Sequence, residues 1–216
     1  MYMMLGTCPD IVYAVGALSQ FSANPGKKHL KAINHIIRYL NATKGYKLIY
    51  DRNSTENDLI AYCNSDWARD LHDHQSISGY VFKITSAAIA WSPKKQPSTA
   101  LSSTEGEYMV LMHAAKEAIW IRGFLGDVLF TPSIPTTLLG NNQGALALAV
   151  NPAFHTQTKH IQIHHHFIRK CMDEGSIKLE YVLMADQVAN ILTKGLPMTK
   201  HGKFIQRMGL VGVSAH

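Results

Sequence analysis

The sequence predicts an α/β fold with a mixed sheet, led by a helical segment. Three observations predict it. Strand-like runs at 59–64, 77–84 and 87–91 precede one long helical run. Later strand-like runs at 136–140 and 177–183 alternate with helical ones, which calls for parallel additions to the sheet. The first fifty residues instead repeat their apolar positions at helical spacing.

In order along the chain, Ile11, Val12, Val15, Leu18 and Phe21 line one face of a first helix, which Pro25-Gly26 ends. A second helix covers 27–41. Leu30, Ile33, Ile36, Ile37 and Leu40 form its apolar stripe, with Lys27, Lys28, Lys31 and Arg38 mostly off it. A short strand covers 46–50. Two helices and one strand bury little by themselves, so residues 1–50 read as an appendage to a larger N-terminal unit. Residues 51–58 (DRNSTEND) are polar and read as a linker. The domain proper spans 59–197. Its second and third strands are joined by a tight turn at Thr85-Ser86, and its long helix covers 102–129. Helices follow at 142–150, 159–173 and 185–193, and 198–216 forms a basic tail.

With 46% hydrophobic and 17% charged residues, a 216-residue chain can build a core, which excludes wholesale disorder. The formal charge of +6 favours a polyanionic partner, nucleic acid before acidic membrane. Cys8, Cys63 and Cys171 are few and scattered, giving neither a disulfide framework nor a zinc knuckle. That fits a reducing compartment, the cytoplasm or nucleus. No apolar run approaches the roughly 20 residues of a membrane span, and the apolar opening lacks the basic lead of a signal peptide.

The motifs narrow this further. The first fifty residues, MYMMLGTCPDIVYAVGALSQFSANPGKKHLKAINHIIRYLNATKGYKLIY, resemble the end of the reverse transcriptase region of copia-type retrotransposon polyproteins. YCNSDWARD, SISGYVFKI, WSPKKQPSTALSSTEGEYMVL, AAKEAIWIR, NNQGALALAVNPAFHTQTKHIQI, HHHFIR and ANILTKGLP resemble the ribonuclease H domain that follows it. The resemblance covers nearly the whole chain in order. It implies a ribonuclease H-like fold with a five-stranded mixed sheet, and a place within a larger polyprotein. It also implies cleavage of the RNA strand of an RNA–DNA hybrid. The family's paired polymerase aspartates lie upstream of this region, so the expectation is that the chain does not polymerise.

The same resemblance implies four inward carboxylates holding two Mg²⁺ (or Mn²⁺) ions about 3.5–4 Å apart, which activate water and stabilise the leaving oxygen. Here the sequence departs from the family. Asn64 in Tyr62-Cys63-Asn64-Ser65-Asp66-Trp67 stands at the first aspartate position. Glu107 matches the helix glutamate. Asn141 in Asn141-Asn142-Gln143 stands at the third position and Asn190 in Ala189-Asn190-Ile191-Leu192 at the fourth. One formal negative charge remains where the pattern has four. Asparagine keeps a carbonyl oxygen and the shape of aspartate but loses the charge. Since one lost electrostatic contact at a catalytic centre costs ~10²–10³ in rate, the expectation is little or no nuclease activity and weak metal binding. Asp66 shares a strand face with Asn64 and is a possible substitute ligand. Glu105 points elsewhere on its helix, near the helix dipole.

Among other groups, His155, His160, His164, His165 and His166 cluster. His160 and His164 stand at i, i+4, as in zinc sites, but nothing completes a ligand set, and packing or hydrogen bonding is the plainer reading. Lys94, Lys95, Ser102, Lys159 and Lys194 are candidates to contact nucleic acid, with Gln96, Arg169, Lys170, Lys200, Lys203 and Arg207 adding to a polar, basic set. Ser102 equally suits a helix cap. Trp67, Trp91, Tyr80 and Phe82 read as core. Three function classes stay open: a hybrid ribonuclease, a non-catalytic nucleic-acid-binding module, and a decayed element, since each Asp-to-Asn change needs only one G-to-A base change.

Overall fold

A computed structural model describes residues 1–51, 58–66, 75–96, 100, 102–128, 132–151 and 159–212, with the side chains of 159–165 outside that description. Helices α1 (Tyr2–Gly6), α2 (Val12–Ser19) and α3 (Lys27–Ala42) lead the chain, with one 3-10 turn at Pro9–Ile11. Strands β1 (Tyr46–Leu48), β2 (Leu59–Asp66), β3 (Ile77–Ile84) and β4 (Ala87–Lys95) follow, then the long helix α4 (Ser103–Val128). The rest is β5 (Thr136–Gly140), α5 (Gln143–Val150), α6 (Lys159–Asp173), β6 (Ile177–Tyr181), α7 (Asn190–Thr193), α8 (Met198–Arg207) and β7 (Leu210–Gly212).

The main sheet has five strands in the order β4-β3-β2-β5-β6. The hairpin-linked strands β2, β3 and β4 pair antiparallel, and β5 and β6 add in parallel. This is the mixed α/β sheet expected of the ribonuclease H resemblance. Thr85 takes φ 55° in the β3–β4 turn, a left-handed conformation that costs a β-branched residue more than a glycine.

Consecutive strand residues serve two cores, because side chains alternate across the sheet. Ala61, Cys63 and Phe82 face a cluster with Tyr108, Leu111 and Ala115 of α4. Val81 and Ala88 face the other way, onto Ile11, Val12, Ile191, Leu192, Phe204 and Met208. The alanines Ala114, Ala115 and Ala118 are fully buried, and these small side chains suit close approach of α4 to the sheet. At the helix start, the Ser102 hydroxyl accepts from the Glu105 N–H at 3.1 Å, a cap for an otherwise orphan donor.

The second core corrects the reading of 198–216 as a basic tail. Residues 198–207 form a helix whose Phe204 and Ile205 are buried, and 210–212 form a strand. That strand pairs antiparallel with β1, Tyr46 opposite Gly212. The N-terminal segment therefore packs on the second face of the main sheet. Tyr39 donates its hydroxyl to Asp10 at 2.6 Å, binding α3 to the 3-10 turn. Burial and the Asp10 carboxylate push the Tyr39 phenol far up. Of the expected α3 stripe, Ile36 and Leu40 meet this core, while Leu30, Ile33 and Ile37 are exposed.

Other boundaries also shift. The helix expected over 185–193 forms only at Asn190–Thr193, because the preceding residues turn so that the Gln187 side chain can reach two strand carbonyls. β2 and β4 run longer than expected and β6 ends at Tyr181. Most of the expected linker (52–57), Trp67 and His155 lie outside the described residues.

Candidate functional site

The site is built where the parallel pairing of β2 and β5 ends. Their parallel pairing runs to Cys63 beside Gly140, so Asn64 and Asn141 each follow its last pair, Asn64 still within β2 and Asn141 just past β5. Across the antiparallel pair, Asn64 lies opposite Gly79. A Cβ on Gly79 would stand 2.7 Å from the Thr193 methyl and 3.1 Å from Leu192 Cβ. The missing side chain is what lets α7 lie on the sheet and carry Asn190 to the site.

Hydrogen bonds show the convergence. Asn64 is buried and donates through Nδ2 to Thr193 Oγ1 at 2.7 Å. Asn190, also buried, donates to the Met184 carbonyl at 3.2 Å. Asn141 Nδ2 lies 3.2 Å from Met184 Sδ, and Asn190 Nδ2 and Lys194 Nζ lie 3.6 and 3.7 Å from the same sulfur. One thioether thus gathers two of the asparagines and the lysine. The side-chain oxygens of Asn64, Asn141 and Asn190 are all buried, and among the described residues none has a hydrogen-bond partner. Unsatisfied buried acceptors are uncommon in folded proteins, and here three cluster at the three positions where the family pattern has aspartates.

Glu107 belongs to the same group. It is buried on the first turns of α4 and accepts a hydrogen bond from the Ser65 backbone, next to Asn64. Burial pushes its carboxyl up to about 8; the Ser65 N–H and the Lys194 charge pull it down, and the Asp66 charge pushes it up. Asp66, half-buried at the end of β2, is therefore within electrostatic reach of Glu107.

No protein-family model matches the chain. A retrovirus-related Pol polyprotein from transposon RE1 of Arabidopsis thaliana is 38% identical over 207 residues, 96% of this chain and 14% of that polyprotein. The chain belongs to the Pol polyproteins of copia-type retrotransposons. It spans about a seventh of the length of this Pol relative. A secreted RxLR effector protein (161) of Plasmopara viticola is 45% identical over 121 residues, 56% of this chain and 84% of that protein. Among solved structures, LC11-RNase H1 from compost is similar at a TM-score of 0.49 and 13% identity, covering 63% of this chain and 93% of that one.

The donor set of this copia-type Pol chain does not fit a pair of dications. Amide and carboxyl oxygens are the right donor type for Mg²⁺. The charge is wrong: the four positions carry one carboxyl, and burial disfavours even its charged form in the metal-free site. Adding Asp66 makes two. Among the described residues no group of three or more His, Cys, Asp or Glu could hold a metal ion.

The expected basic set divides. Lys94 and Lys95 are exposed at the end of β4, and Lys194 lies at the site. The Lys159 side chain and those of His160, His164 and His165 lie outside the described residues, and His166 is exposed. Lys203 and Arg207 both bind Asp186, at 3.0 and 2.7 Å, and Arg207 lies over the Tyr62 ring, so both serve the fold. Gln96, grouped with the surface lysines on sequence, is buried. Its amide donates to Ser78 Oγ at 2.8 Å and to the Gly106 carbonyl at 3.0 Å, joining β3 to α4. Trp91 is partly buried and its indole N–H donates to the Met4 carbonyl at 2.8 Å. Sequence reasoning missed Met184, Gln187 and Thr193. The signal for Gln187 is a lone amide just ahead of the apolar run that carries Asn190.

Proposed function

We propose that this chain is the ribonuclease H region of a retrotransposon Pol polyprotein, joined to the end of its reverse transcriptase region, and that it has lost hybrid hydrolysis while keeping a basic face for nucleic acid. Residues 1–50 correspond to the reverse transcriptase end and 59–197 to the ribonuclease H-like domain. α8 and β7, packed into the second core, belong with them.

The single observation that carries the reading is the cluster of three buried asparagine oxygens, without hydrogen-bond partners among the described residues, beside the Glu107 that bonds the Ser65 backbone. In an active member, by resemblance, these positions are aspartates, and two divalent ions supply the activated water and stabilise the leaving oxygen. With amides in their place the oxygens remain but the charge that would hold the ions does not. Their amide N–H groups are bonded within the fold, to Thr193 and to Met184, so the amides are held in place without a metal. In a cell the partners would be an RNA–DNA hybrid and the rest of the polyprotein, within the cytoplasm or nucleus.

The test is cleavage of a labelled RNA–DNA hybrid in Mg²⁺ and in Mn²⁺. The parent chain is compared with the triple variant Asn64→Asp, Asn141→Asp, Asn190→Asp. The expected result is cleavage by the variant alone. Comparable cleavage by the parent would show that Asp66 or another group holds the ions. An inactive but folded variant would remove the assignment of the site.

A further inference from the structure

We infer that Gln187 is the positioning residue of this site, one buried side chain that sets the spacing of Asn64, Asn141 and Asn190. The inference rests on the site assignment above but on no activity. Gln187 is 0% exposed. Its Nε2 donates to the Cys63 carbonyl at 2.8 Å and to the Leu139 carbonyl at 3.1 Å. Cys63 immediately precedes Asn64, and Leu139 lies two residues before Asn141. Its Oε1 accepts from the Ala189 N–H at 3.3 Å, immediately before Asn190, and its own carbonyl accepts from the Asn190 N–H at 3.2 Å. The neighbours of all three asparagines therefore meet on one residue.

The chemistry calls for a neutral amide. The two carbonyls sit at the last rungs of the parallel β2–β5 pair, on separate strands. Each accepts one hydrogen from a single NH₂ group, so the separation of the strand ends is fixed by the geometry of that group. The same side chain needs an acceptor for the N–H leading into α7. A methionine would match the volume and offer no strong donor. An ionised glutamate would place only acceptors against two carbonyls, whereas a protonated one would restore one donor. Satisfied on both ends, the amide also avoids the cost of an unpaired buried polar group. A side chain that merely filled space would not need any of these contacts.

The experiment uses the full chain, labelled with ¹⁵N, and needs no metal, hybrid or cleavage, so its outcome is separable from that of the proposed function. Side-chain amide resonances of Asn64, Asn141 and Asn190 are recorded with the peptide-resolved alkylation rate of Cys63. The variants are Gln187→Met, Gln187→Glu and, as a control at the far end of β2, Leu59→Ala. Gln187→Met is expected to move all three amide pairs and to raise Cys63 alkylation at least tenfold below its melting temperature. Leu59→Ala is expected to lower the melting temperature without moving the three pairs. Gln187→Glu is expected to resemble the parent at low pH and Gln187→Met at high pH, a transition read as the ratio of variant to parent at each pH because Glu107 and the Cys63 thiol give the parent a profile of its own. Parent-like amides and alkylation in Gln187→Met overturn the inference. If that variant does not fold, a Gln187→Glu chain with no such transition overturns it.

Discussion

The side-chain amide of Asn64 donates to the hydroxyl of Thr193 at 2.7 Å, a buried contact between residues 129 apart in sequence. It is the direct link between the end of β2 and the helix that carries Asn190. Thr193→Val keeps the shape and removes the acceptor, so a buried N–H₂ loses its partner. The expected cost is about 1–3 kcal/mol, read as a lower urea midpoint with an unchanged slope. Thr193→Ser is expected to stay near the parent.

Returning three carboxylates to the site should destabilise the metal-free chain, because like charges then crowd beside Glu107 and Asp66. In chelator, the Asn64→Asp, Asn141→Asp, Asn190→Asp variant is expected to melt below the parent. Added Mg²⁺ or Mn²⁺ should raise its melting temperature, since a ligand that binds only the native state stabilises it. The parent should not respond to the ions. Differential scanning calorimetry with and without chelator distinguishes these outcomes.

Glu107 should make the metal-free chain less stable as pH rises. Its carboxyl titrates at about 8 in the fold against a reference value of 4.5. Between those values the native state holds a proton that the unfolded state has released. The slope of stability with pH is therefore negative there. The contribution is fully present below the unfolded value and is lost as pH passes through about 8. At about 1.4 kcal/mol per pKa unit the total is on the order of a few kcal/mol. Urea unfolding of parent and Glu107→Gln across this range should show the dependence in the parent and its loss in the variant.

Gly79→Ala tests whether α7 must lie this close. The added methyl would meet Thr193 at 2.7 Å in the present geometry, so the helix must shift. Overpacking of this kind costs about 1–3 kcal/mol. The expected outcome is lower stability together with displaced Asn64 and Asn190 amide resonances.

Nucleic-acid binding should discriminate between two kinds of cation. Lys94 is exposed near the end of β4, whereas Lys203 and Arg207 are held by Asp186. Lys94→Ala is expected to weaken hybrid binding and reduce its salt slope by about 0.7–0.9. Lys203→Ala is expected to leave that slope unchanged. Binding titrations at several salt concentrations separate the two.

The sequence by itself determined the order and type of most elements. The strand-like run at 77–84 and the turn at Thr85-Ser86 predicted a hairpin because strand propensity and turn chemistry are local. Consecutive motif residues, through the family resemblance, singled out Asn64, Glu107, Asn141 and Asn190, and the same resemblance implied the loss of charge at three of them. Only the tertiary structure decided that 198–212 is no tail. Its helix is short and basic and its strand has three residues, and both are received by β1 and the second face of the sheet. It also decided that Gln96 and Gln187 are interior residues. An amide has no periodic signature, and whether it faces water or binds buried carbonyls depends on strands that lie far away in sequence.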